Sequence, residues 1–351
     1  MSTVAFKHIS QASQLALVSA INDLLELAPI NADDLGQVCL LKINAMSREV
    51  LPGRNTSPWF LVAVLENLRR RFPSLSLVLA DTDVAGYPQL ADACRNWGYN
   101  DIADRFGLEI INLGKDKALP VATGNPEVPK VYLPRTLGRV DSIINLPVIK
   151  THVLTGITCC LKNHWGLMPT FRYQHHVRVN QVIAEINRQV KKTVYNLVDG
   201  TVCIEGPGPK TGRPKLCSVV MAGADRVALD TAVLDFMALP REMAPHVSLA
   251  AEFGVGNIKY DLVGDAFQPQ PFERPRVSGD LVSKLERTLR RVPFLGGLFY
   301  HPRVAPFLGL IGTKYNELVW FRRFGVAYQS LVLADSQYGQ EFKSLILNSS
   351  L

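Results

Sequence analysis

Three lysines stand where apolar, strand-like runs end. Lys42 closes Val38–Leu41, Lys150 follows Ser142–Ile149, and Lys162 comes one short element later. Each has a carboxamide near it in sequence: Asn44, Asn145 and Asn163. Ammonium and amide groups gathered at strand ends form a donor-rich pocket suited to a carboxylate or a phosphate. In that reading Lys42, Asn44, Asn145, Asn163 and Thr155 hold a small anionic ligand. A desolvated lysine can also be a base or form a Schiff base, which places Lys150 and Lys162 among the catalytic candidates. The competing reading is of solvated loop lysines.

His152 and His164 flank this region, and either is suited to move a proton near neutral pH. With His175 and His176 they fall within 25 residues, but no pair has the i, i+4 spacing of a helical zinc site. Asp199 and Glu205 lie around a strand end and a glycine-rich loop, and Asp230 sits inside the apolar run Val227–Leu234. These three are the candidate ligands for a divalent metal, or partners for the lysines. An aspartate in so apolar a helix needs a partner, structural or functional. Asp225 reads as a helix N-cap. Asp81 and Asp83 supply further carboxylates after a β-rich run. The loop Gly206-Pro207-Gly208-Pro209 is not a phosphate-binding P-loop, because G-x-x-x-x-G-K-[ST] is missing, and neither a G-x-S-x-G elbow nor a G-x-G-x-x-G turn after a strand occurs.

The elements that must position these groups alternate between two periods. Val38–Asn44, Leu75–Ala80 and Leu108–Leu113 read as strands. Between them lies a helix with Pro58 in its first turn, Thr56 or Ser57 as its cap, and Leu61, Leu65 and Leu68 on one face. Tyr87–Tyr99 reads as a second helix ending near Gly98. The second half repeats the pattern: strand Ser142–Ile149, helix Thr155–Trp165, helix His176–Lys192, strands Tyr195–Val198 and Leu216–Met221, helix Asp225–Leu239 and strand Ile258–Val263. Residues 115–129 read as a loop between the halves. The expectation is an α/β fold, mainly parallel sheet with helices on both faces. It divides into an N-terminal half (1–118), a C-terminal half carrying most site motifs (119–265) and a partly helical extension (266–351).

With 351 residues the chain can bury a large core. Its N-terminus does not read as a signal peptide, and no apolar run reaches the ~18–20 residues of a spanning helix, so a cytoplasmic protein is expected. The six dispersed cysteines read as reduced and buried. The net charge of +7 is concentrated in residues 274–323, which hold ten Lys/Arg against three Asp/Glu. Leu281–Val292 reads as a basic helix, and residues 281–324 mix those cations with apolar and aromatic side chains. That suits either an anionic membrane surface, making the protein peripheral to the membrane, or a helical tail packed on the body. Nucleic-acid binding is not expected, because the segment carries no reader motif.

The chain resembles the family called domain of unknown function 362. The likeness covers roughly residues 38–265. It rests on Leu41-Lys42-Ile43-Asn44, on Asn145–His152, on Thr155-Gly156 with Leu161–Gly166, and on Asp199-Gly200 and Glu205–Pro209. The Asp225–Asp230 helix and Gly254-Val255-Gly256 complete it. The resemblance implies an α/β protein whose polar motifs gather in one cleft. Many members carry an added cysteine-rich, ferredoxin-like module, whereas this chain has no cysteine after Cys217. An intrinsic ferredoxin-type cluster is therefore not expected. In overall organisation the chain is also loosely similar to nickel-dependent lactate racemase, a likeness at the level of fold.

Three functional readings stay open. The first is an enzyme acting on a small anion by acid–base or metal-assisted chemistry. The second is a redox protein working with an external electron carrier or an intermolecular cluster, with Cys159 and Cys160 as the ligands to suspect. The third is a membrane-docked binding or scaffold protein.

Overall fold

The structure is a computed structural model describing residues 1–83, 89–169, 172–276, 301, 304–334 and 338–341. In chain order it runs β1 (Ser2–His8), α1 (Gln14–Leu27), α2 (Ala32–Leu35), β2 (Val38–Lys42), α3 (Pro58–Arg71), β3 (Ser76–Asp81), α4 (Leu90–Asn96), α5 (Tyr99–Phe106) and β4 (Glu109–Asn112). The hairpin β5 (Ala118–Asn125) and β6 (Val128–Pro134) follows, then β7 (Ser142–Asn145), β8 (Val148–His152), β9 (Gly156–Thr158), α6 (Cys160–Asn163) and α7 (Val179–Gln189). Next come β10 (Thr193–Glu205), β11 (Arg213–Gly223), α8 (Arg226–Phe236), α9 (Pro245–Glu252) and β12 (Tyr260–Gly264).

The main sheet is ordered β12-β1-β11-β10-β7-β2-β3-β4 and is mostly parallel; only β11 in this row runs antiparallel to its neighbours. Alternation along each strand divides the core between the two faces. Leu40, Ile143 and Val198 lie in one buried cluster with the apolar sides of α7, α8 and α9. Cys39, Leu41, Ile144 and Leu197 lie in the other, beneath α1 and α3. Strands covered on both faces must be apolar almost throughout, which is why they read as continuous hydrophobic runs. Each fully buried aliphatic side chain, such as Leu65 or Ile183, contributes about 1.5–3 kcal/mol over leaving it exposed.

Several local expectations hold. Val179, Ile183, Ile186 and Val190 are all buried. Asp225 caps α8, accepting from the amides of Val227 and Ala228. Gly98, at φ +70°, separates α4 from α5; the first residues of the segment expected there fall outside the described residues.

Three others differ. The strand expected over Ser142–Ile149 is two strands, broken at Leu146-Pro147. There the Leu146 amide turns to the Lys42 carbonyl and the Pro147 carbonyl accepts from Asp199. The helix expected over Thr155–Trp165 is β9, the single turn α6 and a 3-10 turn. Residues 115–129 are no simple loop; most of them belong to the β5–β6 hairpin, which forms a separate two-stranded sheet. β1 and α1 add an N-terminal strand and helix that carried no sequence expectation.

The basic helix expected over Leu281–Val292 falls outside the described residues. The described part of the tail is helical from Ala305 to Ala334 and includes a π-helical stretch, Asn316–Gly325. One side of it packs on the body: Arg48 pairs with Glu317, and the Arg54 guanidinium lies 5.1 Å from the Trp320 ring centre. No helix among the described residues is long and apolar enough to cross a membrane.

Candidate functional site

The register of the sheet lines up the site. Ala80, Lys42, Asn145, Asn196 and Gly223 face one another across five adjacent strands, at or near the carboxyl ends of β2, β3 and β7. Ligand sites of open α/β sheets lie outside such strand ends. Here the polar row is knitted by amides. Asn44 Nδ2 donates to Asn163 Oδ1 at 3.1 Å, Asn163 Nδ2 to Asn145 Oδ1 at 2.8 Å, and Asn145 Nδ2 to Asn196 Oδ1 at 2.9 Å. Asn196 Nδ2 ends the chain on the Gly223 carbonyl at 3.0 Å. Buried amides are tolerated because they satisfy one another, and the network fixes the direction of each carboxamide.

Lys42 is fully buried and paired: its Nζ donates to Asp81 Oδ1 at 2.7 Å and to the Ile43 carbonyl at 2.6 Å. Burial pulls the Lys42 pKa down and the Asp81 charge opposes it; the 2.7 Å contact favours the ion pair. Asp81 also accepts from the amides of Ala45 and Thr82. Gly166 lies against this pair, and a Cβ there would fall 2.7 Å from Asp81 Oδ1 and 2.8 Å from Lys42 Nζ.

Lys150 lies one layer deeper. Its Nζ donates to Asn44 Oδ1 at 2.5 Å and to the Arg54 carbonyl, with Met46 Sδ at 3.4 Å. Burial pulls its pKa down to about 7.

Lys162 is held differently. It sits on α6, a turn too short to persist alone. The Asp230 carboxylate anchors that turn, accepting from the amides of Cys160 at 2.7 Å and Leu161 at 3.1 Å. The Lys162 ammonium lies 4.7 Å from the Trp165 ring centre and has neither a hydrogen-bond acceptor nor a carboxylate partner among the described residues. Burial, with help from the Arg172 charge, brings its pKa down to about 7.

Lys162 opens onto a cavity of about 180 Å³. Lys42, Asp81, Asn44, Asn163, His152 and Arg172 line it with Trp165, Gly166 and His176, and Thr82, Thr158, Met46 and Pro209 complete the wall. Its charged groups are three cations and one carboxylate. Arg172 is fixed by donating to Thr82 Oγ1, to the Met168 carbonyl at 3.0 Å and to the Asp83 carbonyl at 2.6 Å. His152 Nδ1 accepts the Leu154 amide at 3.1 Å, so the ring proton of the neutral imidazole sits on Nε2. Burial, then the nearby Lys162 charge, keeps His152 neutral, well below the usual histidine range.

Of the residues expected from sequence, Lys42, Lys162, Asn44, Asn163 and His152 come together at the cavity. Asn145 and Lys150 sit behind it and reach it through Asn163 and Asn44. Two expectations are corrected. His164 is fully buried and does not line the cavity; its Nδ1 lies 3.4 Å from the Arg226 guanidinium, and burial beside that charge keeps it neutral. Thr155 spends its hydroxyl on the Ile157 carbonyl at 2.9 Å, closing the turn into β9.

The metal set is corrected as well, since Asp199, Glu205 and Asp230 do not meet. Asp199 accepts from the Ser57 amide at 2.8 Å at the start of α3, and from Thr201. Glu205 is engaged by Arg213 and Lys215. Asp230 anchors α6. The one metal-compatible group among the described residues is Cys159, Cys160 and Asp230, all buried, with Asp230 already taking two amides. The six cysteines are buried and thiol, and no four of them gather, so they do not fit a four-thiolate cluster.

Sequence reasoning offered Asp81 only as one of several carboxylates for a cation or a lysine, and here it partners Lys42; it named His176 without a role and missed Arg172. Arg172 comes from a segment with no motif around it. His246, fully buried with neither ring nitrogen hydrogen-bonded among the described residues, does not line the cavity; burial, then the Lys162 charge, brings its pKa down to about 3.

An α/β sheet with a cation-rich cavity at its strand ends is the class of protein these features define. The chain belongs to the family described as "Domain of unknown function (DUF362)", which matches residues 39–235. A thylakoid-associated protein of Synechocystis is 21% identical over 196 residues, 54% of this chain and 60% of that protein. Among solved structures, a Thermotoga maritima protein is similar at 12% identity and TM-score 0.33, covering 68% of this chain and 59% of that one. The lactate racemase apoprotein of Thermoanaerobacterium thermosaccharolyticum is similar at 13% identity and TM-score 0.37, covering 66% and 56%. The chain spans between 56% and 60% of the length of these relatives. Neither structural likeness is close enough to carry an argument about the site.

Proposed function

We propose that the chain is an enzyme that binds a small organic anion, a carboxylate or a phosphate, in the strand-end cavity and works on it by acid–base chemistry. The observation that carries this reading is Lys162: a buried lysine with no counter-ion among the described residues, opening onto a cavity walled by Arg172 and the Lys42–Asp81 pair. An unpaired buried cation is costly, and an anionic ligand relieves that cost. Asn44 orients the ligand with the Nδ2 hydrogen not spent on Asn163, and Asn163, whose Nδ2 donates to Asn145 and the Lys42 carbonyl, fixes Asn44 in place. His152 donates from Nε2, and Lys162, poised near neutral pH, holds or moves the proton. Thermal denaturation against a panel of carboxylates and inorganic phosphate tests this. At least one class should raise the melting temperature, as a ligand at 100 times its Kd adds about 2.7 kcal/mol. Lys162→Ala should abolish the rise; a panel without effect on wild type would overturn the reading.

A second reading concerns where the protein works. The tail carries exposed Phe307, Ile311, Leu318, Val319 and Phe324, with exposed Arg322 and Arg323 among them, on the side away from the body. Apolar side chains rimmed by arginine suit the interface of an anionic bilayer. The thylakoid association in the name of one relative supports membrane association in general, without pointing to a surface. Flotation with vesicles containing anionic lipid should recover wild type and lose Phe307→Ser/Leu318→Ser. Equal recovery of both, or of neither, would remove this role.

A further inference from the structure

We propose that Lys162 is a nucleophile that forms an imine with the carbonyl group of a small 2-oxo acid. This inference rests on the anion site described above and names its substrate class.

The three lysines differ in what their nitrogens can do. Forming a C–N bond needs a free lone pair and an open approach. The Lys42 nitrogen is committed to Asp81 and the Ile43 carbonyl, and that of Lys150 to Asn44, the Arg54 carbonyl and Met46. Of the three, Lys162 alone faces the cavity with no acceptor among the described residues. Its depressed pKa leaves a large fraction of free amine at neutral pH.

The rest of the wall matches the other end of a 2-oxo acid. Arg172 offers the guanidinium donors not spent on Thr82, Met168 and Asp83, suited to a carboxylate. His152 Nε2–H can donate to the carbonyl oxygen as negative charge builds there. The Trp165 face favours the cation that results when the imine is protonated. At about 180 Å³ the cavity suits a molecule of a few heavy atoms, below the ~300–1,000 Å³ of drug-sized pockets.

The step balances without a redox partner. The amine lone pair attacks the carbonyl carbon, and the C=O π electrons move to oxygen. One amine proton passes to that oxygen, giving a carbinolamine. The C–O bond then breaks, and the hydroxyl leaves as water with the second amine proton. The product is the neutral imine, which takes a proton from solvent to become the iminium.

The test is borohydride trapping on the full chain with pyruvate and 2-oxoglutarate, read by intact mass and peptide mapping. Lactate, which lacks the carbonyl, is the control. The expected result is an increment equal to the acid less one oxygen atom, located on Lys162, absent with lactate and lost in Lys162→Arg. Melting temperature is measured with the same compounds. Stabilisation by the 2-oxo acids and lactate without trapping at Lys162 overturns the imine and leaves the anion site standing. Trapping spread over surface lysines also overturns it. Neither stabilisation nor trapping by any of these acids overturns the imine; the anion site itself falls only if the wider panel is also without effect.

Discussion

The carboxylate of Asp230, in α8, holds the amide of Cys160 at 2.7 Å although 70 residues separate them. That bond, with its twin to Leu161, makes a four-residue turn stable enough to present Lys162 and Asn163. Asp230→Ala should leave two buried amides without acceptors. A lost cap alone costs about 0.5–2 kcal/mol, and the orphaned donors add to that. Urea denaturation should show the loss, anion-induced stabilisation should weaken in parallel, and Asp230→Asn should restore part of both.

The Lys42–Asp81 pair is a second structural dependence. Lys42→Met leaves the Asp81 carboxylate buried without its counter-ion and should cost about 3–5 kcal/mol. The double change Lys42→Met/Asp81→Leu should cost less than the sum of the singles, because the second removes the charge that the first strands. Additive losses in a double-mutant cycle would mean that the two residues act independently.

Gly166→Ala tests how tightly the cavity is drawn around that pair. The added methyl would sit within 3 Å of both Asp81 Oδ1 and Lys42 Nζ, so one of them must shift. We expect destabilisation of about 1–3 kcal/mol, the usual cost of overpacking, and loss of ligand-induced stabilisation. Calorimetric titration showing unchanged binding would place the ligand elsewhere.

Buried Lys150 and Lys162 titrate near 7 rather than near 10.5, which fixes the sign of a pH effect. Between those values the unfolded chain binds more protons than the folded one, so stability rises with pH across that window. Below about 7 both states are protonated and the penalty is fully present. Denaturation midpoints should therefore climb from about pH 7 upward, and Lys162→Met should flatten the climb. Affinity for a carboxylate lacking a carbonyl should run the other way. It should fall as Lys162 loses its proton at or above about 7, since the bound anion favours the ammonium.

Much of the scaffold was legible because burial on both faces leaves a local trace. Val38–Leu41 and Leu75–Ala80 read as strands because nearly every side chain there is covered. The α7 stripe and the Asp225 cap were equally plain, since helical period and capping are properties of neighbouring residues. Lys42, Lys162, Asn44, Asn163 and His152 could be picked out because polar groups after apolar strands are conspicuous. Thr155–Trp165 misled because its apolar run fits a helix, while its first residues turn back to pair with β8 and the Asp230 anchor is made by a residue 70 positions away.

The sequence by itself determined the alternation of strands and helices, and therefore the edge of the sheet at which polar side chains would collect. Only the tertiary structure decided which of the three lysines has no hydrogen-bond acceptor or carboxylate among the described residues. Lys42 meets Asp81 and Lys150 meets Asn44 through strand register and loop packing, and the same packing turns Asp199, Glu205 and Asp230 to separate structural tasks. Pairing is a property of three-dimensional distance. A lysine's charge, its pKa and its freedom to react follow from what lies within a few ångströms of its nitrogen.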